Sequence, residues 1–456
     1  MTSIALSIFD IFKIGPGPSS SHTIAPMKAG YDFAQEAACL SPGELARAEK
    51  IEVRLYGSLS ATGKGHGTDV AVLAGLMGNA PETCSTELID KLHSHKDDDV
   101  DPIKIGDRTF RMAVKDVIYD KVDHNFPFSN TLVIRLLHKE TGTIFEKEYY
   151  SVGGGFLQWK GWSPPERGTP VHGYSSTIEF GKMMEISGLS GHDVFMENEM
   201  AITGEREDKI ISGIDRILSA MEDSVDGGLD GEGVLPGPLK LQRNAAYLYR
   251  NSCIMDGSAG RFIALLSAFA LATAEENADG HRIVTAPTCG AAGVIPAIYC
   301  LLKRNLGIPM KNLRRGLMAA AVVAFLCKEN ASIAGAEVGC QGEIGVATAM
   351  AAAMITYAVQ EDPVLAVHAA AIALEHQLGL TCDPVQGYVQ IPCIQRNAVG
   401  AVKAYTAHML AVLEKPGYFD LRLDYVIKAM AETGRDMSCK YKETGLGGLA
   451  VCIPEC

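Results

Sequence analysis

The chain has 456 residues, enough for two or three domains, and its hydrophobic and charged fractions of 47% and 21% are ordinary for a globular protein. Its net charge of −13 argues against a nucleic-acid or anionic-membrane partner, because it offers no basic stripe to neutralise phosphates. The first residues lack a secretory signal, so the twelve cysteines favour metal or redox roles in a cytoplasmic protein over a disulfide framework.

The first 150 residues mix helical and strand patterns. Ser21–Leu40 is predicted to be a helix, since it follows Pro18 and a run of serines that could cap it. Strand-like alternation of apolar and polar residues follows in Ile51–Tyr56, Met112–Tyr119, Thr131–Leu137 and Ile144–Tyr150. Residues 1–155 are therefore predicted to form a small α/β domain with a mainly antiparallel sheet.

Helical patterns dominate the rest of the chain. The Pro- and Gly-rich stretch Ser163–Gly173 indicates a linker, which we place at 156–195. The predicted helices after it are Asp208–Asp223, Gly260–Asn277, Leu313–Lys328, Ile344–Val359, Val364–Leu378, Asn397–Leu413 and Asp424–Thr433. The longest apolar stretches, Leu317–Cys327 and Ile344–Val359, fall short of the roughly 20 residues of a membrane span. The chain is predicted to be α+β, with a larger all-helical domain at 196–456.

Three cysteines stand where loops meet predicted helices. Cys340 lies in ASIAGAEVGCQGE, Cys382 in LGLTCDP and Cys393 in QIPCIQRN. A helix N-terminus favours the thiolate that binds metal. A buried, inert cysteine is nevertheless the commoner fate of this residue, so spacing alone leaves both interpretations open.

The sequence segments around these cysteines resemble the cluster motifs of the iron–sulfur L-serine dehydratases. So do GPSSSHT (17–23), YGSLSATGKGHGTD (56–69), YYSVGGGF (149–156), EGVLPGP (232–238) and VTAPTCGAAGVIPA (284–297), in order along almost the whole chain. The resemblance implies that Cys340, Cys382 and Cys393 hold a [4Fe–4S] cluster, and that the enzyme needs no pyridoxal phosphate. Three protein ligands would leave one iron open to act as a Lewis acid on the β-hydroxyl of L-serine, whose products are pyruvate and ammonia.

The reaction also needs a base for the α-proton, and a histidine titrates in the right range. His66 lies between glycines beside Lys64, so we name His66 as the base and count Lys64 and His22 as further catalytic candidates. The alternative for His66 is a surface or capping imidazole. Four hydroxyl residues surround His22 in the sequence: Ser19, Ser20, Ser21 and Thr23. They either bind the substrate carboxylate together with His22 or cap a helix. The GKGHGT loop does not fit the phosphate-binding pattern G-x-x-x-x-G-K-[ST].

Five more residues are substrate-binding candidates. Thr285, Thr288 and Gly290 lie in TAPTCG, which offers hydroxyls and backbone N–H groups, although a simple turn before a helix is the alternative. Asn330 and Ser332 lie shortly before Cys340. The last residue, Cys456, carries a thiol and an α-carboxylate in the relation in which serine carries a hydroxyl and an α-carboxylate, so it is a candidate inhibitory ligand of the open iron.

Two other functions are compatible with parts of the pattern. A pyridoxal-phosphate lyase could run the same reaction, but the cysteine motifs would then have no purpose. The first domain also resembles the serine-sensing regulatory domains of some biosynthetic dehydrogenases, so a non-catalytic sensor is the third possibility. For the iron–sulfur dehydratase we expect a homo-oligomer, specifically a homodimer. We expect it to bind L-serine as its small-molecule substrate, and to bind neither nucleic acid nor membrane.

Overall fold

The chain folds into two compact units in the computed structural model. The structure describes residues 3–96, 99–163, 166–415, 421–443 and 447–452. A mixed unit comprises Ile14–Pro164 with Asp279–Arg282, and a helical unit comprises Met1–Lys13, Pro165–Ala278 and Ile283–Cys456. A small α/β region thus precedes a larger helical one, which confirms the predicted α+β class. The finer division at 1–155, 156–195 and 196–456 stays a prediction.

The mixed unit is built on a five-stranded sheet. Its strands, in spatial order, are Val117–Tyr119, Lys50–Gly57, Asn130–His138, Gly142–Ser151 and Leu157–Trp159. The first pair is parallel and the others are antiparallel, as predicted for the bulk of the sheet. Asp101–Ile105 and Arg108–Met112 form a separate hairpin, and a further short strand is Ile14–Pro16.

One predicted strand, Met112–Tyr119, is wrong. Met112 ends the hairpin and Val117 begins an edge strand of the main sheet, with a 3₁₀ turn at Val114–Asp116 between them. The Asp116 carboxylate accepts a hydrogen bond of 2.8 Å from the Ala113 N–H. This local side-chain bond competes with strand pairing, so the chain turns where the alternation of residues suggested that it continues.

Two helices of the mixed unit cross at very close range. The helices of this unit are Ala25–Ala38, Pro42–Arg47, Ser58–Thr62, Thr68–Leu76 and Thr86–His93, with a π-helical turn at Ser20–Ile24 and a 3₁₀ turn at Gly63–His66. A Cβ on Gly30 would lie 2.4 Å from the Val72 carbonyl oxygen, and one on Gly75 would lie 2.1 Å from that of Met27. Only glycine permits this crossing, which brings together the N-terminal ends of the two helices, where His22 and His66 lie.

The helical unit surrounds an almost fully buried helix, Ile344–Gln360. The other helices of four or more residues are Ile8–Ile11, Thr177–Ser187, Gly191–Thr203, Glu207–Asp230, Ala245–Ile254, Ser258–Ala278, Val294–Cys300, Met310–Asn330, Gly335–Val338, Pro363–Glu375, Cys393–Leu413, Leu423–Asp436 and Leu449–Cys452, with a π-helical turn at Leu301–Asn305 and a short strand at Arg282–Val284. The seven helices predicted for this region are confirmed. Thr177–Ser187 and Gly191–Thr203 occupy part of the stretch expected to be a linker, where Ser176 and Ser190 cap their N-termini.

One helix has the length and composition of a membrane span. Within the described residues this is Ser258–Ala278, and half of its most apolar window is buried inside the protein. The bent pair Met310–Asn330 and Gly335–Gln341 would count as a second span if it were taken as one element. A core helix that packs against its neighbours passes the same test.

Candidate active site: a cysteine centre and a histidine pair

Two of the three motif cysteines lie next to helix N-termini, and the third lies in an irregular segment between helices. Cys340 lies in the 3₁₀ turn Gly339–Gln341, just before Ile344–Gln360, and Cys393 is the first residue of Cys393–Leu413. Cys382 is held by backbone hydrogen bonds of 2.8 Å from its N–H to the Tyr441 carbonyl and from the Glu443 N–H to its own carbonyl. All three side chains are buried. The predicted position at a loop–helix junction is confirmed for Cys340 and Cys393, whereas Cys382 lies seven residues beyond the end of Pro363–Glu375, in a β-bridge with Lys442.

Glu343 lies between two of these thiols. Its Oε2 is 3.8 Å from the Cys340 Sγ and 3.6 Å from the Cys382 Sγ. Ligand atoms of these three residues lie within 4.8 Å of one another, so they could hold a metal ion. Burial raises the pKa of Glu343, and the Thr288 hydroxyl donates a 2.8 Å hydrogen bond to its other oxygen.

The group of ligand atoms within 4.8 Å of one another does not include Cys393, but Cys340, Glu343 and Arg396 all act on the Cys393 thiol through their charges. Burial raises the pKa of Cys393 well above the ordinary thiol value, and the charge of Cys340 adds to the effect. The pKa of Cys382 is also raised well above the ordinary thiol value. The largest cause is a hydrogen bond with Cys340, and burial is the second. The charge of Cys340 thus disfavours the thiolates of Cys382 and Cys393, and a bound cation would offset that repulsion.

Arg396 supplies a fixed positive charge beside the thiols. Burial disfavours its charge, but Cys340 and Cys393 raise the pKa of its guanidinium above the usual value. The group is oriented by hydrogen bonds of 2.7 Å to the Thr381 carbonyl and 3.0 Å to the Asp383 carboxylate. A donor set of three buried thiols, with a carboxyl and a guanidinium alongside, has the chemistry that an iron–sulfur cluster requires, because thiolates bind the iron and the cation offsets part of the negative charge.

In the mixed unit, His22 and His66 form a buried pair. Their ring centroids are 4.7 Å apart, and each side chain is only 4% exposed. The His66 Nδ1 lies 2.9 Å from the Thr62 carbonyl oxygen, so Nδ1 carries the hydrogen and donates, and Nε2 keeps its lone pair. Burial lowers the pKa of His66, which keeps the ring neutral at pH 7. It is therefore equipped to accept a proton.

His22 is held by hydroxyl groups on both sides of its ring. Its Nδ1 lies 2.9 Å from the Ser21 hydroxyl, and its Nε2 lies 3.1 Å and 3.0 Å from those of Ser58 and Thr62. Burial, with the charge of His66 as a second cause, lowers the pKa of His22 to about 3. A neutral, fully bonded ring of this kind suits orientation better than proton transfer.

Comparison with known proteins covers both units. The family model described as the serine dehydratase beta chain matches residues 7–162, and that of the serine dehydratase alpha chain matches 187–450. The chain is 43% identical to the L-serine dehydratase TdcG of Escherichia coli K12 and 42% identical to the L-serine dehydratase of Streptomyces coelicolor. It is 39% identical to that of Haemophilus influenzae. Each alignment spans 98% or 99% of this chain and at least 99% of the relative.

The chain belongs to the serine dehydratase family.

The residues predicted around His22 lie close to the histidine pair. The Ser19 hydroxyl accepts a 3.3 Å hydrogen bond from the His22 N–H, as a helix cap would, and the Thr23 hydroxyl donates to the His66 carbonyl at 3.1 Å. Ser20 is buried in the same turn, and its carbonyl accepts from the Ala25 N–H. Lys64 lies in the 3₁₀ turn before His66 and is exposed. The roles assigned to these residues stay predictions.

Of the five substrate-binding candidates in the helical unit, two lie at the cysteine centre and three bond to the backbone elsewhere. Thr288 and Gly290 lie at the cysteine centre, since Thr288 contacts Glu343 and a Cβ on Gly290 would lie 3.7 Å from the same carboxylate. The Thr285 hydroxyl instead bonds to the N-terminal segment. It donates to the Ile11 carbonyl at 2.6 Å and accepts from the Lys13 N–H at 2.9 Å.

Asn330 and Ser332 serve the chain around the end of Met310–Asn330. The Asn330 amide donates to the Ser175 and Leu326 carbonyls, both at 3.0 Å, and the Ser332 hydroxyl accepts from the Ala334 N–H at 3.1 Å. These bonds are structural. A substrate contact by either residue stays a prediction.

Several residues of both sites were not singled out from the sequence. Ser58 and Thr62 hydrogen-bond to His22, and the Thr62 carbonyl also orients His66. The only sequence signal for either residue is its position in the motif YGSLSATGKGHGTD. Glu343 closes the word GAEVGCQGE three positions after Cys340, and Arg396 lies three positions after Cys393. A carboxyl or guanidinium near a cysteine in sequence is common on protein surfaces. Glu343 and Arg396 therefore became site candidates only when the structure showed that they lie beside buried thiols. Cys456 lies outside the described residues.

Proposed function

We propose that this protein is an L-serine ammonia-lyase whose Cys340, Cys382 and Cys393 hold a [4Fe–4S] cluster. The observation that carries the proposal is the convergence of the buried Cys340 and Cys382 thiols on Glu343, in a chain that aligns over 98% of its length with an L-serine dehydratase. When bound, such a cluster supplies a Lewis acid, at the iron without a protein thiolate, for the β-hydroxyl of serine.

His66 is the base in this proposal. Its Nε2 takes the α-proton of serine, and the Thr62 carbonyl holds the hydrogen on Nδ1 so that the tautomer cannot reverse. His22 stays neutral and fixes the turn that carries Thr62 through its bonds to Ser58 and Thr62. Loss of the α-proton and of the hydroxyl as water leaves an enamine, which tautomerises and hydrolyses to pyruvate and ammonia.

The function is tested on protein purified without oxygen. We expect iron and sulfide at about four of each per chain, a broad visible absorption that bleaches in air, and pyruvate formation from L-serine with no added pyridoxal phosphate. A sharp yellow aldimine band with no iron would establish the pyridoxal-phosphate alternative instead. Iron-free protein that binds serine without turnover would establish the sensor.

The pH dependence of the reaction is expected to follow His66. A base works in its neutral form, so activity is lost as the pH falls through its pKa. Because burial lowers the pKa of His66, the acid limb of kcat/KM is expected below about pH 6.5, the ordinary value for histidine. A pH profile of kcat/KM measured with saturating cluster occupancy gives the midpoint. A limb at pH 7 or above would rule out a base with this burial.

The C-terminal cysteine is expected to compete with serine. The Leu449 N–H donates a 2.8 Å hydrogen bond to the carboxylate of Asp383, the neighbour of Cys382. Cys456 is seven positions after Leu449, and an extended chain of that length reaches about 25 Å. Since a tethered thiol has a high effective concentration, Cys456→Ala is expected to lower the apparent KM for serine and leave kcat similar. Steady-state kinetics checks this, and an unchanged KM would exclude the tail as a competitor.

A further inference from the structure

The motif EGVLPGP has no part in the proposed chemistry, yet it forms a closed hairpin. The Leu235 N–H donates to the Leu241 carbonyl at 2.8 Å, and the Arg243 N–H donates to the Gly233 carbonyl at 2.9 Å. We call residues 233–243 the VLPGP hairpin. Its backbone is thus fixed by its own hydrogen bonds before any outside contact is considered.

The base of the VLPGP hairpin is anchored on the helix Ser258–Ala278. The Arg243 guanidinium donates to the Glu276 carboxylate at 2.6 Å, and both side chains are at most 10% exposed. The next residue of that helix towards its N-terminus, Glu275, accepts hydrogen bonds of 2.8 Å and 3.1 Å from the Asn244 and Ala245 N–H groups. A buried, oriented ion pair with an adjoining helix cap makes this end of the hairpin rigid.

The tip of the VLPGP hairpin contacts the loop that leads into Cys393. The Pro236 carbonyl accepts a 2.7 Å hydrogen bond from the Gln390 side-chain amide, and Gln390 is 3% exposed. Gly237 has φ 99°, and a Cβ there would lie 2.6 Å from the ring of Tyr388. The Tyr388 ring therefore packs against the Gly237 backbone so closely that any side chain at this position would clash with it.

The contacted loop has little regular structure of its own. Gln386 and Gly387 both have positive φ, 52° and 77°, a conformation that costs a non-glycine residue energy. The Gln390 carbonyl accepts a 2.9 Å bond from the Ile394 N–H in the first turn of Cys393–Leu413. Gln390 is therefore bonded through its side chain to the hairpin and through its backbone to the turn that presents the Cys393 thiol.

We propose that the VLPGP hairpin is a clamp that positions Cys393, acting through Gln390 and Tyr388. The clamp rests on the proposed function in one respect, that Cys393 is a cluster ligand. A metal ligand has to be held within about 0.5 Å of its working position, which an irregular loop achieves only with outside support. Gln390 and Tyr388 are positioning residues, since they act through Cys393.

Two pairs of variants test the clamp. Gly237→Ala brings a Cβ against the Tyr388 ring, whereas Gly233→Ala has almost the same strain, with φ 105°, and its Cβ meets nothing within 4 Å. Gln390→Leu removes the hydrogen bond to Pro236, whereas Gln395→Leu makes the same change at an exposed position of the Cys393–Leu413 helix. Each pair separates loss of the contact from the substitution itself.

The first measurement is thiol alkylation in cluster-free protein, followed at each cysteine by mass spectrometry. We expect Cys393 to react about fivefold faster in Gly237→Ala and Gln390→Leu than in their controls, the factor for loss of one buried hydrogen bond, while the core thiols Cys300 and Cys327 keep their wild-type rates. Equal rates at Cys393 in variant and control would overturn the clamp. A matching rise at Cys300 would also overturn it, because it would show general loosening.

The second measurement is release of iron to a chelator from protein loaded without oxygen. Faster release from Gly237→Ala and Gln390→Leu than from their controls supports the clamp, and equal release counts against it. A wild-type chain that takes up no iron would refute the proposed cluster and still leave the alkylation result to decide whether the hairpin holds Cys393. The two failures are therefore distinguishable.

Discussion

Changing Cys340, Cys382 or Cys393 singly to alanine is expected to abolish both cluster assembly and turnover. The buried Cys340 and Cys382 thiols converge on Glu343, and Cys393 is close enough to Cys340 to be affected by its charge. The proposed cluster would need all three thiolates, because that proposal leaves only one iron without a protein thiolate. Loss of one ligand would also leave Arg396 with less negative charge beside it. The expected result is iron and sulfide near background, with pyruvate formation below detection.

The matched control is a buried cysteine outside the centre. Cys300 and Cys327 are fully buried in helices, and burial raises the pKa of each, to about 12 for Cys300. Cys300→Ala should therefore keep its iron and its turnover. Iron and sulfide analysis with visible spectra measures both sets. A variant of Cys340, Cys382 or Cys393 with full iron content and normal turnover would show that the cysteine concerned is not a ligand.

Changing His66 to alanine is expected to lower kcat at least about a hundredfold and to leave the visible spectrum unchanged. A positioned general base contributes roughly a hundredfold to ten-thousandfold. His66 is fixed by its Nδ1 bond to the Thr62 carbonyl and is kept neutral by burial, so its removal takes away a base that solvent cannot replace at the same position. The spectrum is expected to stay unchanged because His66 is not one of the proposed cluster ligands.

His376→Ala serves as the control for loss of an imidazole. His376 is largely exposed and bonds to the backbone carbonyl of Ile372, so kcat should stay within about twofold of the wild-type value. His66→Gln adds a second test, since glutamine can keep a hydrogen bond to Thr62 but cannot act as a base at neutral pH. Near-normal kcat in either His66 variant would remove the residue from the mechanism.

The elements with regular patterns were predictable because their periodicity is local. Helices such as Ile344–Gln360 and strands such as Lys50–Gly57 follow from residues within one turn or one strand of each other. Met112–Tyr119 failed for a local reason too, since the bond from Ala113 to Asp116 outweighs the alternation. The helix Thr177–Ser187 was missed because the Pro- and Gly-rich stretch Ser163–Gly173 led us to assign all of residues 156–195 to a linker.

The sequence by itself determined the fold class and the family, and it singled out three cysteines and two histidines as candidate site residues, because these depend on short motifs and on composition. Only the tertiary structure showed that Glu343 lies between Cys340 and Cys382, that the Thr62 carbonyl sets the tautomer of His66, and that Thr285 bonds to the N-terminal segment. The VLPGP hairpin and Gln390 are about 150 residues apart in the chain, and no local pattern links them. Burial and hydrogen-bond partners depend on contacts between distant segments, so they become visible only once the chain has folded.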